Sequence, residues 1–163
     1  GFPSGFSGLR AKIVEVEEAL SHGAVEVDVV ANFTLARSGL VGELLGELSA
    51  IVDVARSYGA LVKVIVEAPL HSDGELEVLV EASSRAGAHF VKTSTGVYSK
   101  GGDPWTVYRL YRLASPRGLK VKAAGGVRGY FDALLALAFG ADRVGTSSAG
   151  QVIGSMLKFK GEG

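Results

Sequence analysis

The sequence predicts an α/β protein with a parallel sheet, on three observations. Apolar strand-like runs alternate strictly with helix-like stretches, which is typical of strand–helix–strand units. A glycine ends each helix-like stretch, and a valine-rich run follows at once. Such valine-rich runs indicate strands that are buried on both faces. Two architectures remain open, a doubly wound sheet and a (β/α)8 barrel, and both carry ligand sites at the carboxyl ends of their strands.

Five strands and six helices are predicted in chain order. The strands cover residues 25–30, 61–66, 89–92, 120–124 and 142–145. The glycine before each strand is expected to end the preceding helix in the left-handed conformation, which costs glycine no steric clash. The helices cover residues 10–22, 41–58, 73–85, 104–113, 130–139 and 149–158. Ser72 and Asp73 are candidate N-cap residues of the third helix, and Pro104 opens the fourth.

Two segments are interpreted as structural rather than functional. The aromatic side chains of Trp105, Tyr108 and Tyr111 recur along the fourth helix, and we expect them to pack in the core against the sheet. Residues 99–102 look like a plain flexible loop above the strand ends.

Composition excludes several classes of protein. The 163 residues carry 17 basic and 17 acidic side chains, so nothing indicates a nucleic acid or an anionic membrane as partner. No apolar run reaches the roughly 18 residues of a membrane span. Cysteine is absent, which fits a cytoplasmic enzyme, and we expect no signal peptide. The single Met, Asn and Gln suggest a thermophilic source.

Four charged side chains interrupt otherwise apolar strands. They are Asp28, Lys63, Lys92 and Lys122, each four or five residues after a helix-ending glycine. Because a buried charge needs compensation, we expect all four at one level of a common interior. A lone strand-end lysine is more commonly exposed, but a second ammonium group nearby favours the neutral amine. A neutral amine can attack a carbonyl carbon and form a Schiff base, and Asp28 could balance charge or relay protons.

Other polar residues of the strands and loops are less informative. Lys63 and Glu67 lie four apart on one predicted strand, and we interpret them as a structural or charge-balancing pair. His22, His71 and His89 are scattered without metal-ligand spacing, so we expect no metal.

Glycine- and serine-rich turns follow the last three predicted strands. Backbone N–H groups in such turns, with a helix N-terminus behind them, bind phosphate. The candidate phosphate-binding residues are Gly96, Gly125, Gly126, Gly145, Ser147 and Ser148. Arg128 could add positive charge, but we interpret it as a solvated residue at a helix start.

In these segments the sequence resembles the deoxyribose-phosphate aldolases, which are class I (Schiff-base) aldolases. The matching segments run in family order and are Glu26–Val30, Val62–Glu67, Val91–Gly96, Val121–Arg128 and Val144–Ser148. The resemblance implies a (β/α)8 barrel that cleaves 2-deoxy-D-ribose 5-phosphate reversibly into D-glyceraldehyde 3-phosphate and acetaldehyde. It implies neither a metal nor another cofactor.

The resemblance also implies roles for single residues. Lys92 matches the lysine that forms the Schiff base with acetaldehyde, Lys122 the neighbouring lysine that activates it, and Asp28 the acid of the proton relay. The glycines and serines above match the phosphate-binding turns. We expect three further residues to support the site, namely Lys63, Glu67 and Thr93.

Two departures from the family pattern bear on these expectations. Val97 stands where some members have a lysine, so one positive charge on the phosphate side is either lost or supplied by Lys100. Residues 1–5 resemble the end of the third barrel strand. The resemblance therefore implies one barrel-type domain over residues 1–163, with about five to six strands and without the N-terminal ones. An open barrel exposes strand edges, and we expect a homo-oligomer. The alternatives are another Schiff-base sugar-phosphate aldolase and an inactive, truncated phosphate-binding module.

Overall fold

The computed structural model describes residues 1–161, in which five strands and seven α-helices alternate. The strands are β1 (Glu26–Val30), β2 (Leu61–Ile65), β3 (Phe90–Lys92), β4 (Lys120–Ala124) and β5 (Arg143–Gly145). The helices are α1 (Leu9–Ser21), α2 (Phe33–Arg37), α3 (Val41–Ser57), α4 (Asp73–Arg85), α5 (Pro104–Ala114), α6 (Tyr130–Ala138) and α7 (Ala149–Lys160). All five predicted strands and all six predicted helices are confirmed, and α2 was not predicted.

All five strands are parallel and lie in chain order, from β1 at one edge to β5 at the other. A doubly wound sheet reverses its strand order, whereas a barrel does not, so this order decides between the two predicted architectures. The sheet is also curled: Arg143 on β5 forms an ion pair with Glu26 on β1, which brings side chains of the two edge strands into contact across the interior. The structure is therefore part of a (β/α) barrel.

Local sequence signals account for the helix ends. Ser72 caps α4 in a capping box, since its Oγ accepts the Glu75 N–H while Glu75 Oε2 accepts the Ser72 N–H at 2.8 Å. Asp103 caps α5 by accepting the Thr106 N–H at 3.0 Å. The predicted helix-ending glycines all have positive φ and are Gly23, Gly59, Gly87, Gly118 and Gly140.

The core lies between the outer face of the sheet and the inner faces of the helices. Leu44, Leu48 and Ile51 of α3 are buried there with Val62 and Val64 of β2. Burial of each such side chain contributes roughly 1.5–3 kcal/mol relative to exposure. No helix within residues 1–161 has the length and apolar character needed to cross a membrane.

One ion pair is buried beside this core. Lys12 on α1 is completely buried, and its Nζ lies 2.7 Å from Glu47 Oε1 on α3. The same Nζ donates to the Val30 carbonyl oxygen at 3.0 Å. Glu47 Oε1 also accepts the Asn32 N–H. The pair thus fixes the end of β1 against two helices.

The prediction for the aromatic side chains of α5 is wrong. Trp105 is 65 % exposed, and Tyr108 and Tyr111 are also exposed. The helix instead buries Val107 and Leu110 against the sheet. Side chains three residues apart lie on one helix face, so the three aromatic residues form a separate outward stripe.

Candidate active site

The carboxylate of Asp28, on β1, is the centre of a charge cluster at the carboxyl ends of the strands. Its Oδ2 accepts hydrogen bonds from Lys122 Nζ at 2.6 Å and from Lys92 Nζ at 2.9 Å. Its Oδ1 lies 3.2 Å from Lys63 Nζ. The structure therefore brings together the four strand charges that the sequence placed in a common interior.

The strand register explains why these side chains converge. Lys92 and Lys122 are paired neighbours in the β3–β4 ladder, and Asp28 and Lys63 are paired in the β1–β2 ladder. Paired residues of a parallel sheet project to the same face. Lys92 pairs with Ile65, however, which is two residues beyond Lys63. The prediction of a single level is thus wrong by one layer, because barrel strands are staggered and counting from a glycine ignores the stagger.

Lys92 and Lys122 keep Asp28 ionised. Burial raises the pKa of the Asp28 carboxyl, but hydrogen bonds from Lys122 and Lys92 and their positive charge outweigh burial and hold the pKa below its usual range. At neutral pH the site therefore contains an ionised carboxylate that accepts hydrogen bonds from both lysine side chains.

A second carboxylate lies one layer below the first. Glu26 Oε2 is 2.6 Å from Lys63 Nζ and is also bound by the Arg143 guanidinium. The hydrogen bond from Arg143, followed by that from Lys63, lowers the pKa of Glu26 to about 2. Lys63 is thus shared between Glu26 and Asp28, and the predicted pairing of Lys63 with Glu67 is wrong.

Glu67 has a different environment from the one predicted. It lies beyond the end of β2 with φ 49° and ψ 49°, so the alternation of strand side chains no longer applies to it. Its buried carboxylate accepts hydrogen bonds from Thr95 and Ser99. Thr93 ties the turn after β3 to the end of β4, since its Oγ1 donates to the Ala124 carbonyl oxygen at 3.0 Å and accepts the Ala124 N–H at 2.9 Å.

A cavity of about 500 Å³ opens above the two paired lysines. Lys92 and Lys122 lie at its floor. Five of the six predicted phosphate-binding residues line its walls, namely Gly96, Gly125, Gly126, Gly145 and Ser147. Ser148 does not line the cavity. It occupies the N-cap position of α7, and its N–H donates to Thr146 Oγ1 at 2.9 Å.

The walls of the cavity offer donors for an anion. The backbone N–H groups of Gly96, Gly126 and Ser147 donate to no other group within residues 1–161. Gly125 and Gly126 both have φ of 90°, a conformation that side chains with a Cβ rarely adopt. The N-terminus of α7 adds the positive end of a helix dipole. The arrangement can therefore bind a phosphate group.

Gly145, which has no side chain, leaves room for the end of the Lys122 side chain. A Cβ atom on Gly145 would lie 3.1 Å from Lys122 Cε, closer than ordinary van der Waals contact. A larger residue at this position would require the end of the Lys122 side chain to shift by a few tenths of an ångström. Gly145 therefore serves the lysine pair as well as the cavity wall.

Sequence reasoning missed part of the cavity wall. Thr95 and Thr146 line it, and each lies within three residues of the end of a strand, which was the signal available. Lys100 and Arg128 line it as well, and both are exposed. Arg128 is thus solvated, as interpreted, but it also borders the cavity. Of residues 99–102, Lys100 lines the cavity, and the Gly102 N–H ties this segment to the Gly125 carbonyl oxygen at 2.8 Å.

The three histidines lie apart from one another. His89 Nδ1 accepts the Val62 N–H at 3.1 Å, and His71 is buried against Phe33. His22 is exposed at the end of α1. Within residues 1–161, no three His, Cys, Asp or Glu side chains cluster in a way that could hold a metal ion.

The sequence profile of the DeoC/LacD family aldolases matches residues 4–155. The chain belongs to this family. Deoxyribose-phosphate aldolase from Aeropyrum pernix is 54 % identical over 155 residues, which are 95 % of this chain and 64 % of that protein. Deoxyribose-phosphate aldolase from Caldicellulosiruptor saccharolyticus is 41 % identical over 94 % of this chain and 70 % of its own length. The chain thus spans just under two thirds of the length of the first of these relatives.

Solved structures of DeoC/LacD aldolases share the fold. A structure described as tetrameric deoxyribose phosphate aldolase from Aeropyrum pernix superimposes with a TM-score of 0.93 at 52 % identity, over 98 % of this chain and 66 % of that one. A dihydroorotate dehydrogenase structure (DHODH) from Eimeria tenella, 14 % identical with a TM-score of 0.67, shares the fold alone. These matches confirm the predicted barrel family, and the chain represents a part of that barrel.

Proposed function

We propose that this chain carries the Schiff-base site of an aldolase that cleaves 2-deoxy-D-ribose 5-phosphate reversibly into D-glyceraldehyde 3-phosphate and acetaldehyde. One observation supports this most directly: Lys92 and Lys122 donate to the same oxygen of Asp28 at the floor of a cavity lined by glycine turns. Two amines on one carboxylate, open to a space of substrate size, are the parts that imine chemistry needs.

Lys92 is the nucleophile of the proposed reaction. Its Nζ attacks the aldehyde carbon of the open-chain sugar phosphate, and loss of water gives a protonated imine. The C3 hydroxyl loses its proton, the C2–C3 bond breaks, and the electron pair moves into the imine to give an enamine. D-glyceraldehyde 3-phosphate leaves, C2 takes up a proton, and water hydrolyses the new imine to release acetaldehyde.

Lys122 and Asp28 carry the proton transfers in this scheme. Their contact at 2.6 Å is short enough for direct transfer, and Asp28 also reaches Lys92. Lys122 lies beside Lys92 on the same carboxylate oxygen, so protons can pass between the two side chains through Asp28. Lys63 shares Asp28 from the other side and supports its orientation.

The phosphate end of the substrate is assigned to the turns that line the cavity. The unpaired N–H groups of Gly96, Gly126 and Ser147 donate to phosphate oxygens in this proposal. Lys100 and Arg128 add positive charge at the rim. Lys100 thereby supplies the charge that Val97 lacks.

Borohydride trapping tests the proposed chemistry. The protein is incubated with acetaldehyde, reduced, and digested for mass spectrometry. We expect an ethyl adduct on Lys92, and a loss of about 10²-fold or more in its rate of formation in Lys122→Leu, which is in the range of general acid–base contributions. Lys120→Leu is the matched control, since Lys120 lies on the same strand but is exposed and does not line the cavity.

The outcomes separate the candidate functions. No adduct from the folded protein contradicts the aldolase and supports the phosphate-binding module. An adduct without cleavage of 2-deoxy-D-ribose 5-phosphate supports an aldolase for another sugar phosphate. Loss of the adduct in Lys120→Leu as well shows that the strand, rather than the amine pair, was disturbed.

We further propose that residues 1–163 form a single barrel-type domain that works as a homo-oligomer in the cytoplasm of a thermophilic organism. The tetrameric description of the Aeropyrum pernix structure supports oligomerisation. Exposed aromatic side chains on α6 and α7, among them Phe131 and Phe159, offer apolar surface for it. Light scattering at several protein concentrations measures the oligomeric state directly.

A further inference from the structure

Glu67 is a buried carboxylate that binds no cation. It has no exposed surface, and within residues 1–161 it takes part in no ion pair. Its Oε1 accepts the Thr95 N–H at 3.0 Å and the Ser99 hydroxyl at 2.8 Å, and its Oε2 accepts the Thr95 hydroxyl at 2.6 Å. Burying a charge is costly, and three charge-assisted hydrogen bonds offset the cost here.

The backbone of Glu67 is itself unusual. Among residues 1–161 it is the one residue other than glycine with positive φ. A left-handed conformation is unfavourable for such a residue and persists only where its surroundings hold it. The conformation ends the strand alternation and turns the carboxylate towards the segment after β3. The strain therefore serves to place a hydrogen-bond acceptor beneath residues 95–99.

Both ends of that segment are bound to the same carboxylate. Thr95 and Ser99 flank a turn that contains Gly96, whose N–H is unpaired within residues 1–161. Thr95 Oγ1 also accepts the Val97 N–H at 3.1 Å, which closes the turn from inside. Glu67 thus acts as the common anchor of the Gly96 turn.

The anchored turn forms one of two facing walls of the cavity. A Cβ atom on Gly96 would lie 3.6 Å from Gly125 Cα, so the Gly96 and Gly125–Gly126 turns are in near contact. Ser94 joins them, since its Oγ donates to the Ala124 carbonyl oxygen at 2.9 Å and accepts the Gly101 N–H at 3.2 Å. A shift of the Gly96 turn would separate N–H donors that a phosphate must meet at the same time.

We propose that Glu67 is a positioning residue that fixes the Gly96 turn against the Gly125–Gly126 turn and thereby sets the preference for a phosphorylated substrate. The inference rests on the proposed function for the identity of that substrate. It assigns Glu67 to phosphate binding alone, because the carboxylate contacts the turn and neither of the paired lysines. Chemistry at Lys92 on an aldehyde without phosphate should therefore be independent of Glu67.

Two variants and one matched control test this assignment. Glu67→Gln keeps the size of the side chain but replaces one acceptor oxygen with an NH2 group facing other donors. Ser99→Ala removes one bond to the carboxylate and leaves Glu67 itself intact. Ser84→Ala is the control, since its half-buried hydroxyl donates to a backbone oxygen, that of Arg117, at 3.0 Å far from the cavity.

Inorganic phosphate and acetaldehyde report the two halves of the site separately. By titration calorimetry we expect Glu67→Gln to weaken phosphate binding about tenfold, the factor that corresponds to about 1.4 kcal/mol. Ser99→Ala should act in the same direction and Ser84→Ala not at all. The borohydride-trapped adduct of acetaldehyde should form at an unchanged rate in all three. For cleavage of 2-deoxy-D-ribose 5-phosphate by Glu67→Gln and Ser99→Ala, KM should rise while kcat changes little. For cleavage of the unphosphorylated sugar, 2-deoxy-D-ribose, neither constant should change.

Each remaining outcome decides the matter. Unchanged phosphate affinity in a folded Glu67→Gln variant overturns the assignment, as does absence of phosphate binding in the unaltered chain. An equal loss of phosphate binding and adduct would show a general structural role and overturns it too. If Glu67→Gln does not fold, Ser99→Ala decides by the same criteria. If the unaltered chain binds phosphate but forms no adduct, the proposed aldolase is contradicted, and the phosphate affinities of Glu67→Gln and Ser99→Ala still decide the role of Glu67.

Discussion

Two buried charge centres in this molecule are built in opposite ways. The Lys12–Glu47 pair contains one cation and one carboxylate, and the ammonium is wholly enclosed between α1, α3 and the end of β1. The Asp28 centre contains one carboxylate and three ammonium groups, and two of these face a cavity. The first centre is balanced and closed, whereas the second has excess positive charge and is open.

The difference separates a structural role from a reactive one. In the Lys12–Glu47 pair each charge is balanced by the other, so neither needs a ligand. The remaining hydrogen bonds of the pair are made with the backbone of Val30 and Asn32. In the Asp28 centre, by contrast, Lys92 and Lys122 share one carboxylate oxygen. Both side chains also line the cavity, where a ligand can reach them. The two centres differ in the ratio of carboxylates to ammonium groups. They also differ in exposure, since the Lys12 side chain is wholly buried whereas Lys92 and Lys122 keep 12 % and 17 % of their side-chain surface exposed.

The largest effect is expected from the open centre. Asp28→Asn removes the charge that Lys92 and Lys122 share, and we expect the rate of cleavage to fall by roughly 10²–10⁴-fold, since a proton relay contributes about that much. Steady-state kinetics with 2-deoxy-D-ribose 5-phosphate measure the loss. Asp53→Asn is the control, because Asp53 pairs with Arg56 on the exposed face of α3. A loss below about tenfold would contradict the relay role.

Substitution in the closed centre, the Lys12–Glu47 pair, should instead change the stability of the fold. Glu47→Gln leaves the Lys12 ammonium buried without a countercharge, and we expect the free energy of unfolding to fall by about 3–5 kcal/mol. Urea unfolding measures it, and the adduct at Lys92 should form normally in the fraction that is folded. Replacing both partners, as in Lys12→Met with Glu47→Leu, should restore most of the loss, because no unpaired charge remains. A double variant as unstable as the single one would argue against this account.

The stability that the Asp28 and Glu26 carboxylates contribute should decline gradually at acid pH. The pKa values of Glu26 and Asp28 are lowered in the fold, so both carboxylates bind protons more readily in the unfolded chain. Their contribution to stability is therefore full above about pH 5 and falls as the pH drops through about 4 towards 2. Urea unfolding at pH 6, 4 and 3 should show the decline, and Asp28→Asn should flatten it. A decline of equal steepness in that variant would exclude Asp28 as a source.

The outward aromatic stripe of α5 provides the smallest expected effect. Trp105→Ala removes a side chain that is 65 % exposed and touches neither charge centre. We expect the free energy of unfolding to change by less than about 0.5 kcal/mol and the adduct at Lys92 to be unaffected. Val107→Ala on the buried face of the same helix should cost about 1–2 kcal/mol, in line with the removal of buried methyl groups. Equal effects of the two changes would show that the stripe is covered in solution.

The sequence determined the elements well because their signals are local. Ser72, Asp103 and the helix-ending glycines act within a few residues of themselves, and a valine-rich run between them has few alternatives. The sequence also placed the lysines in one interior, since four strands carried a charge at a similar distance from a glycine.

The wrong or missing predictions concern contacts between different strands and helices, which the sequence of a single element does not show. The partner of Lys63 is on the neighbouring strand and not four residues along its own, because Glu67 leaves the strand in a left-handed conformation. The burial of Lys12 and Glu47 requires the packing of α1 on α3, which no local pattern shows. Trp105 was misplaced because its spacing shows that it shares a helix face with Tyr108 and Tyr111 but not which face of α5 packs on the sheet, and that face carries Val107 and Leu110.

The ion pair between Arg143 and Glu26 has a consequence for how the molecule forms. It joins residues 117 positions apart, and the Lys122–Asp28 contact joins residues 94 apart. Contacts of such long range form late, because loop-closure entropy must be overcome first. During synthesis from the N-terminus, Asp28 would therefore have only Lys63 as a partner for much of the time. The two amines would come together, and the pair become reactive, only when the last strands dock.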